Sequence, residues 1–401
     1  MKIAQALLRA LPDDLHALRA LAALRPNLLL VFGDMSKIGD PALQLALCEQ
    51  FPATRRIGCS TAGEIGGREV HDGALVATAV RFAATRVESA STTLHDMSDS
   101  HAAGLRLGSA LATSDLKAVL VFGQGIAING SALCAGLSER LGDGVGISGG
   151  LAGDAGRFSR TCVLDDDGAA TDRIVAVGLY GDALRVAHGC FGGWHPFGPS
   201  RKVTRSTGNR LFELDGEAAL TVYRRYLGDY ARDLPASGLL FPLQTESLPG
   251  RTPGPIRTIL GADEGDGSLT LAGDIEAGGY VRLMHAHTDS LVDGAETAAQ
   301  QAFDRYPATG DARLALLVSC VGRKLVMGGR TDEEIEAVAQ RLGTGTTVAG
   351  FYSYGEISAL PEAKGCLLHN QTMTITWIGE TVDPDPDTHR NKEFGHDAPT
   401  A

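Results

Sequence analysis

The chain has 401 residues, 44% of them hydrophobic and 21% charged, which is enough apolar sequence for two packed cores at roughly 100–200 residues per domain. A formal net charge of −12, without a basic stripe interleaved with aromatics, excludes nucleic acid as a partner. Seven scattered cysteines with no C-x-x-C pair exclude a disulfide framework and a cysteine-based zinc site. The 51 glycines follow no Gly-X-Y period and gather at the ends of apolar runs, which predicts many tight turns at strand ends, where ligands commonly bind.

In chain order, residues 1–26 read as an N-terminal amphipathic helix, in which Asp13 and Asp14 interrupt leucines and alanines. Its apolar runs are too short for a signal peptide or a membrane span, so the expectation is a cytoplasmic protein that does not engage the membrane. A unit then recurs three times. The first copy opens on the apolar run 28–33, passes through a helix from Pro41 to Glu49, reaches Gly58-Cys59-Ser60-Thr61-Ala62-Gly63-Glu64-Ile65 and closes on a strand from Ala74 to Phe82. The second opens at Ala118–Gly123, has a helix from Ser131 to Leu141, reaches Ser148-Gly149-Gly150-Leu151-Ala152-Gly153-Asp154 and closes from Ile174 to Tyr180. Phe32 to Gly63 and Phe122 to Gly153 span the same distance, so element order and spacing repeat together.

Between the second and third copies, a stretch rich in glycine, aromatics and proline (189–200) precedes a helix predicted from Glu217 to Arg232, with Asp215 as its cap. The third copy opens at Leu314–Cys320, has a helix from Asp332 to Leu342, reaches Gly350-Phe351-Tyr352-Ser353-Tyr354-Gly355-Glu356-Ile357 and closes from Met373 to Ile378. Continuous apolar opening strands imply sheets covered on both faces by crossover helices. The predicted fold class is α/β, with mixed sheets built from repeated β-α-β-β units in two domains, 27–220 and 221–380. The segment 381–401, with its Asp383-Pro384-Asp385-Pro386-Asp387 run, is too polar to bury and is expected to be a disordered tail.

Five phrases in order resemble the FIST sensory module (F-box and intracellular signal transduction): I-G-C-S-T-A-G-E-I (57–65), W-H-P-F-G-P-S-R-K-V-T (194–204), N-R-L-F-E-L-D-G-E-A-A-L-T-V-Y-R-R-Y-L-G (209–228), F-Y-S-Y-G-E-I (351–357) and L-H-N-Q-T-M-T-I-T (368–376). The resemblance covers about residues 27 to 380 and implies a FIST N-type domain followed by a FIST C-type domain. It implies a sensor of small ligands, not an enzyme. No kinase, cyclase or chemoreceptor domain is attached, so the output would pass through a separate partner such as a histidine kinase. A subset of the family resembles haem-binding nitric oxide sensors. For this chain that implies haem b held non-covalently, since a C-x-x-C-H motif is absent, with nitric oxide as ligand. His188, His195 and His369 stand nearest the family phrases, and His195, between Trp194 and Pro196-Phe197, is the expected axial ligand.

The residues carry their own chemistry beside the resemblance. Gly63-Glu64 and Gly355-Glu356 each place an acid straight after a residue able to take positive φ, which can turn the carboxylate into a shared pocket, and Gly153-Asp154 is the third glycine-acid turn expected to help build it. Glu64 and Glu356 there could hold an amino group, such as that of an amino acid, or each acid could cap its own turn; Ser60, Thr61 and Ser353 fit both roles. Phe351 belongs to the core, whereas Tyr352 and Tyr354 share the opposite strand face and are candidates to line a site. His369-Asn370-Gln371-Thr372 puts four hydrogen-bonding side chains in a row, which suits binding or interdomain contacts. The expected pocket joins these residues to Trp194 and its loop.

Three catalytic look-alikes fail. His285-Ala286-His287-Thr288-Asp289 resembles a metallo-β-lactamase motif but continues with Ser290 where a histidine is needed. Gly146-Ile147-Ser148-Gly149-Gly150 is followed by a glycine-rich stretch and not by the helix of a nucleophile elbow. Gly144 to Gly149 fits G-x-G-x-x-G but follows a helix and enters a strand, the reverse of a dinucleotide fingerprint. The competing reading is a small-molecule hydrolase or other enzyme using Glu64 and Glu356 as an acid–base pair.

Overall fold

The computed structural model describes residues 1–250, 253–306, 312–359 and 365–381; the tail expected to be disordered lies, from 382 on, outside the described residues. The three apolar opening strands, Leu28–Gly33, Leu116–Gly123 and Arg313–Cys320, are buried along nearly their whole length, and each runs inside a six-stranded sheet. Each pairs in parallel with the strand after its crossover helix, Arg55–Ser60, Gly146–Leu151 and Thr346–Ser353 respectively. The fold is mixed α/β, and the opening, helical and closing elements read for the three copies of the repeat are present.

The repeated unit is longer than the sequence suggests. Each copy begins with a further strand, Lys2–Leu8, Arg86–Thr93 or Leu184–Phe191, that pairs antiparallel with its own closing strand. Residues 1–26 therefore do not form the expected single helix: only Ala17–Ala23 is α-helical, and Lys2–Leu8 is a sheet edge. Alanine and leucine favour helix locally, but pairing with Leu75–Arg81 overrides that propensity, and the Gln5 side chain donates to Thr78 Oγ1 (3.0 Å) and to the Val348 carbonyl (3.0 Å).

Each copy also gives a short hairpin to another copy's sheet. Glu64–Gly66 and Glu69–His71 extend the sheet of the third copy through Thr346–Ser353. Val163–Asp165 and Gly168–Ala170 extend the sheet of the first copy through Arg55–Ser60. Gly355–Ser358 and Leu367–His369 extend the sheet of the second copy through Gly146–Leu151. The three exchanges close a ring. At its centre Phe32, Phe122 and Phe351 touch pairwise, with ring centroids 4.8 to 5.6 Å apart.

The third copy carries an insertion between its first strand and its long helix Thr288–Arg305. Residues 195–285 build a separate antiparallel sheet, with the helix Ala219–Leu227 packed on a core that includes Val203, Leu211, Leu243 and Ile259. That helix starts later than predicted, and Asp215 does not cap it. Asp215, at φ 52°, accepts from the Lys202 amide at 3.0 Å and so fastens a hairpin turn.

Equivalent parallel strand pairs approach so closely that a Cβ at Gly58, Gly149 or Gly350 would collide with the carbonyl oxygen of Val31, Val121 or Leu317. Gly58→Ala and Gly350→Ala are each expected to destabilise the protein by about 1–3 kcal/mol or more, since backbone cannot yield as a side chain can. Gly144→Ala, where a Cβ meets nothing within 4 Å, serves as control. Chemical denaturation measures the three; equal midpoints would remove the close-approach explanation.

Candidate functional site

The three glycine-acid turns meet where the copies join. Ala62 N donates to Tyr352 O (2.8 Å), Gly153 N to Ser60 O (2.9 Å) and Tyr354 N to Leu151 O (3.1 Å), so each turn is bonded to another. Gathering the turns does not gather their acids. Of the three glycines only Gly63, at φ 141°, has positive φ; Gly153 is confined instead by the Ala62 amide, 2.7 Å from where a Cβ would stand, and Gly355 by the packed side chains of Leu368 and Leu151. The expectation of a left-handed glycine at both 63 and 355 holds at Gly63 alone, and close packing explains Gly355.

Asp154 is a loop clamp. Its carboxylate accepts from the amides of Phe158 (2.8 Å), Ser159 (2.8 Å) and Arg160 (2.9 Å), from Ser159 Oγ (2.9 Å) and from the Tyr354 hydroxyl. Burial pushes its pKa up, yet these donors, led by the Arg160 amide, outweigh burial and hold it below the usual value. Tyr354 is thereby committed, and its ring stacks on Phe158 at 4.1 Å between centroids.

Glu356 is fully buried. It accepts from Ser353 Oγ (2.7 Å), Thr372 N (3.1 Å) and Thr372 Oγ1 (3.0 Å), and burial raises its pKa to about 8. Its strand neighbour is His369, whose Nε2 lies 3.2 Å from the Ser358 carbonyl and whose pKa burial lowers to about 4. Gln371 donates to the Leu239 carbonyl (2.9 Å), and the Trp194 indole donates to the Gln371 carbonyl (2.7 Å), so this corner ties ring to insertion. Asn370 is buried, and neither of its side-chain polar atoms has a partner among the described residues.

Glu64 borders an open cavity of about 370 Å³ whose lining includes neither Asp154 nor Glu356. Its carboxylate accepts from Thr61 Oγ1 and from the Ala74 amide (3.0 Å), and burial raises its pKa to about 7. Asp34, Asp72, Thr61, Gly63 and Lys324 share the cavity wall. Asp34 caps the short helix Met35–Ile38 by accepting from the Ser36 amide and lies 3.8 Å from Arg157. Lys324 donates to the Ala62 carbonyl (2.9 Å) and pairs with Asp72. Its backbone is held by its neighbour: Arg323, fully buried, donates to Glu334 (2.6 Å), which also accepts from Tyr352 (2.6 Å) and Ser319 (2.9 Å). Tyr352 therefore supports the cavity from behind and does not face it.

Asp34, Asp72 and Lys324 escaped the sequence reading, although a signal for Asp72 existed. Thr372 N bonds Glu356 as Ala74 N bonds Glu64, and His369 pairs with Glu356 as His71 pairs with Glu64. His71-Asp72-Gly73-Ala74 is thus the counterpart of His369-Asn370-Gln371-Thr372, and Gly73 (φ 69°) and Gln371 (φ 64°) share the left-handed conformation. In the third copy the Gln371 side chain packs against Gly322; in the first, Gly73 has no side chain, and the cavity is open.

The histidines do not fit an enclosed haem. His195 is exposed on its strand, beside His285 and His287 (ring centroids 6.1 Å), while Trp194 turns inward onto Ile256, Met284 and Leu291 and Phe197 is exposed, so no ring covers a porphyrin there. His188 is buried, with its pKa lowered by burial to about 4, beside Thr376. No cluster of three or more potential metal ligands occurs among the described residues, and no helix among them is long and apolar enough to cross a membrane. Glu64 and Glu356 lie in different sheets and not in one cleft, which removes the acid–base pair of the enzyme reading.

Arg323→Met leaves Glu334 buried and uncompensated and is expected to cost about 3–5 kcal/mol, read as a lower denaturation midpoint. Glu356 gives a second expectation. Its folded pKa lies above the 4.5 of a free glutamate, so the folded state binds the extra proton and stability falls as pH rises from about 4.5 to about 8. Glu356→Gln should flatten that fall; an unchanged slope in melting temperature against pH would show that the carboxyl is not the titrating group.

Comparison with known proteins gives the family. Residues 27–217 match the FIST N domain and 219–359 the FIST C domain; their border falls within the inserted sheet. Uncharacterized proteins of Mycobacterium bovis and Mycobacterium tuberculosis are 28% identical over 248 residues, 60% of this chain and 62% of theirs, so the match spans under two thirds of the relatives' length. A cyanuric acid hydrolase from A. caulinodans superimposes with a TM-score of 0.36 at 12% identity, covering 95% of this chain and 99% of that one. The chain belongs to the FIST family, whose domains are ligand-binding sensors in signal transduction.

Proposed function

We propose that the protein is an intracellular sensor that binds a small ammonium compound, an amino acid among the candidates, in the cavity bordered by Glu64, and passes the signal to a separate protein such as a histidine kinase. One observation carries this reading: Asp34, Glu64 and Asp72 converge on one open cavity against Lys324, with Arg157 the next cation, an excess of acid that favours a cationic group. The cavity is walled by all three copies, through residues 61–73, 155–156 and 321–328. A ligand there would favour one arrangement of the copies over others, which is how binding shifts a population.

Haem sensing of nitric oxide takes second place, because the surroundings of His195 offer no cover for a porphyrin; a stoichiometric Soret band lost in His195→Ala would reverse the order. The primary reading is tested by calorimetry with amines and amino acids. Glu64→Gln removes a charge-assisted contact and should weaken binding about 10- to 100-fold, on the order of 1.5–3 kcal/mol, whereas Glu356→Gln should leave it unchanged. Wild-type affinity should rise as pH passes upward through about 7, where Glu64 ionises, and this rise should vanish in Glu64→Gln. Binding indifferent to Glu64→Gln and Asp72→Asn would sink the proposal.

A further inference from the structure

A second cavity, of about 310 Å³, lies on the other side of the loop 155–158 and shares Gly156 with the polar cavity. Its walls are mostly apolar and come from two bodies: Phe158, beside Arg157, from the ring, and Pro235, Leu239, Ile259 and Leu260 from the insertion. Phe158 is 37% exposed and Leu260 41%, so large apolar groups face open space at a place where burying them would be favourable.

Gly156 is the residue both cavities share, and a Cβ there would meet nothing within 4 Å, so space is open over the loop at that point. Arg157, next to it, borders the apolar cavity and lies 3.8 Å from Asp34 of the polar one. The loop itself is not slack. Ala155 (φ 59°), Gly156 (φ 78°) and Phe158 (φ 50°) are all left-handed, a costly conformation for the two non-glycine residues. Asp154 maintains it by accepting the amides of Phe158, Ser159 and Arg160, and Tyr354 fixes the Phe158 ring. Backbone strain held in place by a dedicated clamp, between two cavities, fits a wall that a ligand crosses. Each cavity alone is near the small end of the roughly 300–1,000 Å³ typical of ligand sites.

We infer that the ligand is amphipathic: its ammonium group lies among Asp34, Glu64 and Asp72, and its apolar body crosses Gly156 into the space between Phe158, Leu239, Ile259 and Leu260. This rests on the ammonium reading above and adds the second half of the molecule. Such a ligand touches both ring and insertion, so its binding couples the two bodies, which a ligand confined to the polar cavity would not do.

Calorimetry of the full chain with primary amines from methylamine to hexylamine, and with phenethylamine, tests the inference. The dissociation constant should fall by up to about fourfold for each added methylene that becomes buried, the equivalent of ~0.8 kcal/mol per CH₂. Leu260→Asp should abolish that gain. Leu260 is partly exposed, so the variant should fold, and its thermal melt confirms this. Affinity that depends on Glu64 yet stays flat along the series overturns the apolar arm while leaving the ammonium site intact. A gain with chain length that survives Leu260→Asp also overturns it, by placing the apolar body elsewhere. Absence of binding by every amine defeats both readings together.

Discussion

None of the three sheets is complete within its own copy of the repeat. Each receives its outer hairpin from another copy, and the closed cycle of exchanges decides where everything else lies. Because each exchanged hairpin leaves its parent copy at the glycine-acid turn, the three turns are drawn to one place, where the phenylalanine triangle fills the centre. Strand pairing supplies the backbone bonds, and the small residues beside each opening strand permit the close approach.

The three turns share a backbone scheme and differ in what their acids do. Asp154 spends its lone pairs on its own loop, Glu356 is sealed behind Gln371 and Trp194, and Glu64 keeps an open cavity. Threefold repetition thus provides three equivalent places, and divergence has filled one, clamped one and left one accessible. The filled place also shows what occupancy costs: Asn370, its counterpart to Asp72, lies buried without a hydrogen-bond partner among the described residues.

Much of the ring was legible because its signals are local. Apolar runs such as 28–33 and 314–320, and the helices between them, announce themselves within one window of sequence. Lys2–Leu8 reads locally as helix because its strand character comes from Leu75–Arg81, far along the chain, and the short exchanged hairpins carry too few residues to show a period. At the site, Glu64, Thr61 and Gly63 were found through the repeated turn. Asp34 and Lys324 were not, since each stands beyond the end of an opening strand, and only the ring closure brings Lys324 to Ala62. His195 stands out in the sequence through its aromatic neighbours, but Trp194, just before the strand that His195 opens, turns into the core while His195 is left exposed.

The exchanged hairpins also constrain how the protein can be made. Leu184–Phe191 has its place in the third sheet only through Met373–Glu380, and the hairpin at Glu64–His71 only through Thr346–Ser353. Contacts so remote in sequence raise the contact order and with it the entropy that must be spent before native pairing is rewarded. During synthesis the hairpin at Glu64–His71 and the open edge of Gly146–Leu151 must wait for residues from the third copy, and an unpaired strand edge is open to wrong partners. The arrangement that makes one pocket from three copies therefore also makes a nascent chain in which these edges stay unpaired until the third copy's strands arrive.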